Sequence, residues 1–167
     1  MTVTTAPTSV RDLWPVTPLQ EGMLFHSVWE AEAGERPTYQ LQFGVELEGA
    51  VAEDALREAL ADLLDAHENL AVAFAHAGLE QPVQIVPEHV EVPVRTVVGD
   101  DLDALAREEW DAGFDLTRPP LLRALLARRT RGTTWLLVTA HHLVIDGWSV
   151  PLFLRELLAR LAGDEIE

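Results

Sequence analysis

Two apolar runs joined by a short polar segment place the strongest constraint on the fold of this chain. Residues 121–128 and 134–140 are rich in Leu, Val and Ala, and Thr130-Arg131-Gly132-Thr133 lies between them. Two β-compatible runs with a short Gly-containing connection are typical of a hairpin. Two adjacent histidines follow the second run, and a helical pattern follows them. The sequence therefore predicts a strand–turn–strand unit that carries the histidines to the start of a helix.

The rest of the chain alternates between strand and helix patterns. Apolar residues alternate strictly from Tyr39 to Leu47, which is typical of a half-buried strand. Further strands are predicted over residues 70–75, 82–86 and 92–98. Helices are predicted over residues 18–29, 53–68, 101–112 and 149–161. This mixture favours an α/β (α+β layered) domain with a mixed sheet flanked by helices.

The first helix has a clear start in the sequence. Thr17 is a suitable N-cap, Pro18 suits the first helical position, and Gln20 lies three residues after the cap. We expect Leu19, Met23 and His26 to share one stripe of this helix.

Composition limits the classes of function. The 167 residues carry a net charge of −16, which repels nucleic acid and anionic membranes, and no apolar run is long enough to span a bilayer. The chain has no cysteine and no signal-peptide pattern at its start, so a cytoplasmic protein is expected. We predict a disordered leader (1–9), one domain (10–163) and the start of a linker (164–167).

The histidine pair, His141 and His142, is the main candidate for chemistry. Side chains alternate along an extended strand, so one histidine should face the interior and the other a cleft. Asp146 and Gly147 are turn formers and should reverse the chain before the last helix. The sequence offers no third or fourth ligand at metal-site spacing, so no metal is predicted.

Arg123 lies in an apolar strand, where an unpaired charge is costly. It either pairs with Asp146, which would fix the turn after the histidines, or points from a strand edge into water. The residues alone leave these two interpretations open. Arg123 also belongs to a candidate basic patch for a partner protein, and the other members are Arg118, Arg128, Arg129 and Arg131.

Several motifs resemble those of condensation domains of nonribosomal peptide synthetases, in the chloramphenicol acetyltransferase-like superfamily. Residues 141–147 (His-His-Leu-Val-Ile-Asp-Gly) resemble the family's HHxxxDG signature. Residues 17–26 resemble its first core motif, and residues 114–123 resemble its Phe-Asp-Leu…Pro-Leu-x-Arg motif. The helix ending at residues 65–70 is similar to a family helix that ends in a His-rich turn. The family continues with Leu-Arg-Thr there, whereas this chain has Leu70-Ala71-Val72.

The resemblance implies roles for individual residues. His142 would be catalytic and His141 would support it from the interior. Asp146 and Arg123 would form a structural clamp, and Gly147 would supply backbone at the active site. The residues expected to line the substrate channel are Trp148, Ser149 and Met23.

The resemblance also implies a reaction and its partners. Upstream and downstream peptidyl carrier proteins would present the donor thioester and the acceptor amine on phosphopantetheine arms, and the chain itself would bind no cofactor. The family fold has two similar lobes, so this chain would be the N-terminal lobe and would be inactive without the C-terminal lobe.

Three other functions stay open at this point. An epimerisation domain would use the same fold to move a proton at an α-carbon. A related acyltransferase would use a free alcohol or amine as acceptor. A non-catalytic lobe would only dock carrier proteins or tailoring enzymes.

Overall fold

The computed structural model describes residues 9–163. Its helices are α1 (Pro18–Ala33), α2 (Glu53–Ala66), α3 (Leu102–Asp111) and α4 (Val150–Ala162), with a 3₁₀ turn at Glu68–Leu70. Its strands are β1 (Val10–Pro15), β2 (Gln40–Glu48), β3 (Ala73–Ala75), β4 (Val83–Pro87), β5 (Val94–Val98), β6 (Leu122–Arg128) and β7 (Thr133–His141). Residues 1–8 of the predicted leader and the predicted linker at 164–167 lie outside the described residues.

The larger sheet of the described region has the strand order β2-β7-β6-β5. Strands β6 and β7 form the expected antiparallel hairpin, and Gly132 has a φ of 87° in the turn between them. Strand β2 pairs antiparallel with β7, whereas β5 runs parallel to β6. The sheet is therefore mixed and flanked by helices, which confirms the predicted fold class.

The two faces of this sheet differ in polarity. On one face Phe43 of β2 packs edge to face against Phe153 of α4, with ring centroids 5.4 Å apart. Helix α2 packs beside α4, and its leucines are buried in the same apolar core. On the other face Gln42 donates to the Ala106 carbonyl of α3 at 2.8 Å. Alternation along β2 thus directs apolar residues to α2 and α4 and polar residues to α3.

A second sheet of the described region has the order β1-β4-β3. Strands β3 and β4 lie within or close to the strands predicted over residues 70–75 and 82–86, and they pair antiparallel. Strand β1 was not predicted. Its residues are largely exposed, so its sequence lacks the apolar alternation that marks a strand. The strand forms by pairing with the edge of β4.

Helix α1 begins as predicted, but its predicted stripe was wrong. Thr17 and Gln20 form a capping box, in which each side chain bonds the other residue's backbone N–H. Leu19 and His26 are exposed, and the fully buried apolar residue of the helix is Leu24. The stripe failed because the buried face of α1 also carries polar residues that find hydrogen-bond partners on other elements.

No helix within residues 9–163 is both long enough and apolar enough to cross a membrane.

The arginines near the hairpin do not form one basic patch. Arg129 and Arg131 both pair with Glu46 of β2, and Arg129 lies 3.0 Å from it. A hydrogen bond from Thr133, together with the bonds from these two arginines, lowers the pKa of Glu46 to about 2. Arg123 turns into the protein instead. The predicted patch was therefore wrong as a single surface, because the side chains of the cluster project to different sides of the sheet.

Candidate active site

The two histidines lie where β7 ends between its neighbours. The His141 N–H donates to the Leu121 carbonyl at 2.9 Å, and the His142 N–H donates to the Tyr39 carbonyl at 2.9 Å. Consecutive backbone bonds to opposite neighbours keep the chain extended here, so the two side chains project to opposite sides.

His141 faces the interior, as one of the two histidines was expected to do. The residue is 4% exposed. Its Nδ1 accepts the Leu143 N–H at 3.2 Å, and its Nε2 lies 3.2 Å from Ser27 Oγ. Because Nδ1 is an acceptor, a neutral ring carries its proton on Nε2 and donates to Ser27. Burial, and then the charge of His142, lower the pKa of His141 to about 4.

His142 is half-buried, and within residues 9–163 its imidazole makes no hydrogen bond. It is nevertheless close enough to its neighbours to act on them electrostatically. Its charge lowers the pKa of His141 and contributes to the lowered pKa of Asp146. The ring nitrogens of His142 thus have no hydrogen-bond partner in the described region, whereas both ring nitrogens of its neighbour His141 have one.

Asp146 closes the turn that follows the histidines. Its Oδ1 accepts the Ser149 N–H at 2.8 Å and the Ser149 hydroxyl at 2.8 Å. These bonds hold the pKa of Asp146 below its ordinary value. Gly147 has no left-handed φ, and a Cβ there would meet open space, so the turn itself does not require glycine. The Asp146 side chain sets this turn and the start of α4.

The predicted clamp between Arg123 and Asp146 was wrong. Arg123 Nε lies 2.7 Å from Glu109 Oε2 of α3, and its guanidinium also donates to the Gly113 carbonyl at 2.7 Å. The guanidinium carbon lies 4.3 Å from the centre of the Phe114 ring. Arg123 stands opposite Thr139 in the β6–β7 register, on the α3 face, whereas Asp146 follows the end of β7. The arginine is therefore neither a clamp for Asp146 nor a solvent-facing residue.

Sequence reasoning missed the partner of Arg123. Glu109 is 5% exposed and also bonds Arg95 of β5 at 2.7 Å, so one carboxylate bridges two arginines of the sheet. A clue was present in the sequence, because Glu109 follows Leu102 and Leu105 at helical spacing on the stripe that faces the sheet.

Gln20 is a second missed residue. Its Nε2 donates to the Leu143 carbonyl at 3.0 Å and lies 3.2 Å from Gln84 Oε1 of β4. Gln84 in turn donates to the Pro15 carbonyl at 2.8 Å. The first motif therefore contacts the loop after His142 through a side chain that the sequence marked only as a helix cap.

The segment after α2 reaches the same loop from the other side. Asn69 Nδ2 donates to the Val144 carbonyl at 3.4 Å, and His67 Nε2 lies 2.8 Å from Glu156 Oε2 of α4. Ala71, which stands where the family has arginine, is 6% exposed. Separate motifs of the sequence thus converge on residues 142–146.

The three predicted channel residues lie in different surroundings. Trp148 is 91% exposed, Ser149 is half-buried and bonded to Asp146, and Met23 packs at the margin of the apolar core. Their contact with a substrate stays a prediction. Among the described residues no three His, Cys, Asp or Glu side chains are grouped as metal ligands.

Almost all of the described region matches a known family. The family model named Condensation domain matches residues 10–162. The chain belongs to the condensation domain family. Similar proteins include a linear gramicidin synthase of Brevibacillus parabrevis, 36% identical over 160 residues, and bacitracin synthase 3 of Bacillus licheniformis, 34% identical over 163 residues. Each match covers 90% of this chain but 2% of the synthetase.

Two solved structures share the fold. The condensation domain of the Monacolin K polyketide synthase MokA has a TM-score of 0.76 and 21% identity. The X-domain of teicoplanin biosynthesis, solved in complex with OxyB, has a TM-score of 0.75 and 27% identity. The alignments cover 96% and 99% of this chain and 36% of each solved chain. This condensation domain chain thus spans about a third of these solved chains.

Proposed function

We propose that this chain is the histidine-bearing lobe of an amide-forming acyltransferase. In this function the amine of one carrier-bound aminoacyl group attacks the thioester carbonyl of another. The observation that carries the proposal is the contrast at the end of β7. His141 has both ring nitrogens engaged, whereas His142, half-buried, has neither engaged within the described residues. A half-buried ring with free nitrogens is suited to meet a substrate.

The chemistry requires transfer of one acyl group and one proton. A C–N bond forms as the amine attacks, the C–S bond breaks, and the proton lost by the amine is balanced by the proton gained by the departing thiolate. Imidazole exchanges protons near neutral pH, so His142 would accept the amine proton or orient the amine and stabilise the tetrahedral intermediate. The phosphopantetheine arms belong to the carrier proteins and enter as parts of the substrates.

The surrounding residues would act by positioning. The His141 ring ties the strand end to α1 through Ser27, and Gln20 ties the next loop to the same helix. Asp146 holds the turn into α4. None of these groups needs to touch a substrate for this role. Each limits the freedom of the backbone that carries His142.

The second lobe of the family fold is part of the proposal. Each solved neighbour described above is more than twice as long as this chain. We expect a partner lobe to complete the channel over His142 and the isolated chain to form no amide. The proposed location is the cytoplasm, where carrier proteins would be loaded.

The test is single-turnover amide formation, measured by intact mass with two loaded carrier proteins. The chain extended by a second lobe should form the amide, and His142→Ala should slow it by about 100-fold or more. His89→Ala is the matched control, because His89 is exposed between β4 and β5 and lies far along the chain from the motif.

Three outcomes would contradict the proposal. If His142→Ala forms the amide as fast as His89→Ala, the histidine has no part in the reaction. If the tethered residue only racemises at its α-carbon, the fold serves epimerisation. An untethered amine that reacts as fast as the carrier-bound one would indicate a free-acceptor acyltransferase.

A docking lobe is the second candidate function, favoured by one specific likeness. The X-domain that was solved in complex with OxyB is 27% identical to this chain, and the alignment covers 99% of this chain. A docking lobe would bind a partner protein without turnover, and His142→Ala would leave that binding unchanged. Co-elution of the extended protein with a partner, together with absent amide formation by the unsubstituted protein, would support this function instead.

A further inference from the structure

A cavity of about 570 Å³ lies on the side of the strand to which His141 projects. Its wall comes from the second half of α1, the start of β2 and the segment that follows α3. His141 is part of this wall, and His142 is not. The cavity is therefore distinct from the surface on which the proposed acyl transfer takes place.

Gln40 supplies a buried acceptor in this wall that has no partner. The residue stands opposite His141 in the β2–β7 register and is 4% exposed. Its Nε2 donates to the Trp110 carbonyl at 2.8 Å, and this bond fixes the orientation of the amide because a carbonyl requires a donor. Its Oε1 is buried and has no hydrogen-bond partner in the described part of the chain. A buried oxygen in this state is stabilised by a ligand that donates an N–H or O–H.

Apart from the imidazoles of His76 and His141, the ionisable side chains that line the cavity are carboxylates. Its lining contains no arginine, and the chain contains no lysine. His141 adds no charge near pH 7, because burial lowers its pKa and keeps the ring neutral. The carboxylates of the lining are Glu30, Glu32, Glu35 and Asp115.

These carboxylates are only partly compensated. Glu30 Oε2 accepts the Thr38 N–H at 3.0 Å, and Asp115 lies 3.7 Å from Arg118 while also accepting bonds from Thr117. The side chains of Glu32 and Glu35 make no hydrogen bond or ion pair among residues 9–163 and are exposed to solvent. The cavity wall thus carries carboxylates that have no cationic partner in the described region.

We propose that this cavity binds an organic cation with N–H donors, namely an alkylammonium or alkylguanidinium group. The N–H donates to Gln40 Oε1, and Glu30 and Glu35 balance the charge. The volume is in the range of small-molecule sites, and it is far larger than the roughly 30 Å³ that one water occupies. The side chains of the described region provide no group of ligands for a metal ion. The site goes beyond the proposed acyl transfer, since neither His142 nor a thioester takes part.

The test is a titration of the ¹⁵N-labelled 167-residue chain, followed through the side-chain amide signals of Gln40 and, in every variant, the backbone amide signal of Gly113 in the same cavity wall. We expect n-butylammonium and n-butylguanidinium to shift these signals saturably, and n-butanol and butyrate to leave them unchanged. Gln40→Met and Glu30→Gln should each weaken binding about tenfold or more, since hydrogen bonds to charged groups are among the stronger ones. Glu58→Gln removes the same charge from an exposed position on α2 and should weaken binding less than about twofold.

Several results would overturn the assignment. Shifts that do not saturate, or that butanol reproduces, exclude a cation site. Equal losses in Glu30→Gln and Glu58→Gln indicate attraction to the overall negative surface alone. If Gln40→Met does not fold, Glu30→Gln and Glu35→Gln decide the question, and unchanged affinity in both of them rejects the proposal.

Discussion

At the residue scale, two adjacent histidines have entirely different surroundings. His141 is enclosed by α1 and the segment after α3, and its ring edge packs against Phe114 at a centroid distance of 6.3 Å. Both of its nitrogens are engaged, with Ser27 and with the Leu143 N–H. His142 keeps its ring nitrogens available within the described region. Strand alternation separates the two rings, so that one serves as an anchor while, in the proposed function, the other meets a substrate.

The buried ring of His141 predicts that the free energy of unfolding depends on pH. The pKa of His141 is about 4 in the folded chain, against 6.5 for an ordinary histidine, so the unfolded chain binds the extra proton between these values. The stability that the neutral ring contributes is therefore fully present above pH 6.5 and is lost as the pH falls toward 4, by roughly 3 kcal/mol in total. Urea unfolding of the chain and of His141→Asn from about pH 7.5 to 4.5 measures this contribution. The variant should show a flatter dependence.

His89→Asn is the control for that comparison, because His89 is exposed. It should keep the pH dependence of the unsubstituted chain. A dependence that persists unchanged in His141→Asn would mean that other groups cause the loss of stability.

At the element scale, α3 is held on the sheet by a polar layer. Glu109 bonds Arg123 of β6 and Arg95 of β5, and Gln42 of β2 bonds the Ala106 carbonyl of the same helix. Buried charges are tolerated only when their hydrogen bonds are satisfied, and this layer satisfies them across three strands. The position of α3 also shapes the cavity, because the segment after α3 forms part of its wall.

Removal of the bridging carboxylate tests this layer. Glu109→Ala leaves the largely buried Arg123 without its partner and should lower the free energy of unfolding by about 3 kcal/mol. Glu108→Ala is the matched control, since Glu108 also pairs with Arg95 but its side chain is 62% exposed. That control should cost less than about 1 kcal/mol. If urea unfolding shows similar losses of free energy of unfolding in both variants, the buried bridge contributes no more to stability than the exposed ion pair.

At the scale of the whole molecule, the described region has a continuous apolar core but leaves several large apolar side chains exposed. The core lies between the larger sheet and the pair α2 and α4. Phe25 and Trp29 of α1 are 69% and 51% exposed, and Trp148 beside the turn is 91% exposed. A side chain in the core stabilises this chain, whereas an exposed aromatic is free to serve a contact with another lobe or a substrate.

Substitution of Trp148 distinguishes a contribution to the stability of the chain from a contribution to contacts with another lobe or a substrate. Trp148→Ala should change the free energy of unfolding of the 167-residue chain by less than about 0.5 kcal/mol, because truncation of an exposed side chain removes little packing. The same substitution in the two-lobed protein should slow amide formation if Trp148 lines the channel. Phe153→Ala, a buried comparison at 5% exposure, should cost about 3–5 kcal/mol. A loss of that size in Trp148→Ala would contradict the exposed position.

Much of the secondary structure and the motif chemistry was predictable because it depends on local patterns. The hairpin followed from two apolar runs and a glycine turn, the start of α1 from its capping residues, and the opposite orientation of the histidines from strand alternation. The mixed sheet flanked by helices followed from the order of these patterns. The hairpin, the helix start and the orientation of the histidines are each set by residues close together in the chain, so the amino-acid sequence determined them by itself.

The pairing of charged and polar side chains was decided only by the tertiary structure. The sequence suggested Asp146 as the partner of Arg123, but strand register placed Arg123 beneath α3, where Glu109 pairs with it. Strand β1, the contact of Gln20 with Leu143 and the unpartnered oxygen of Gln40 likewise depend on elements distant in the chain. A local pattern determines which way a side chain points, whereas its partner is determined by which element packs opposite, and that depends on the whole fold.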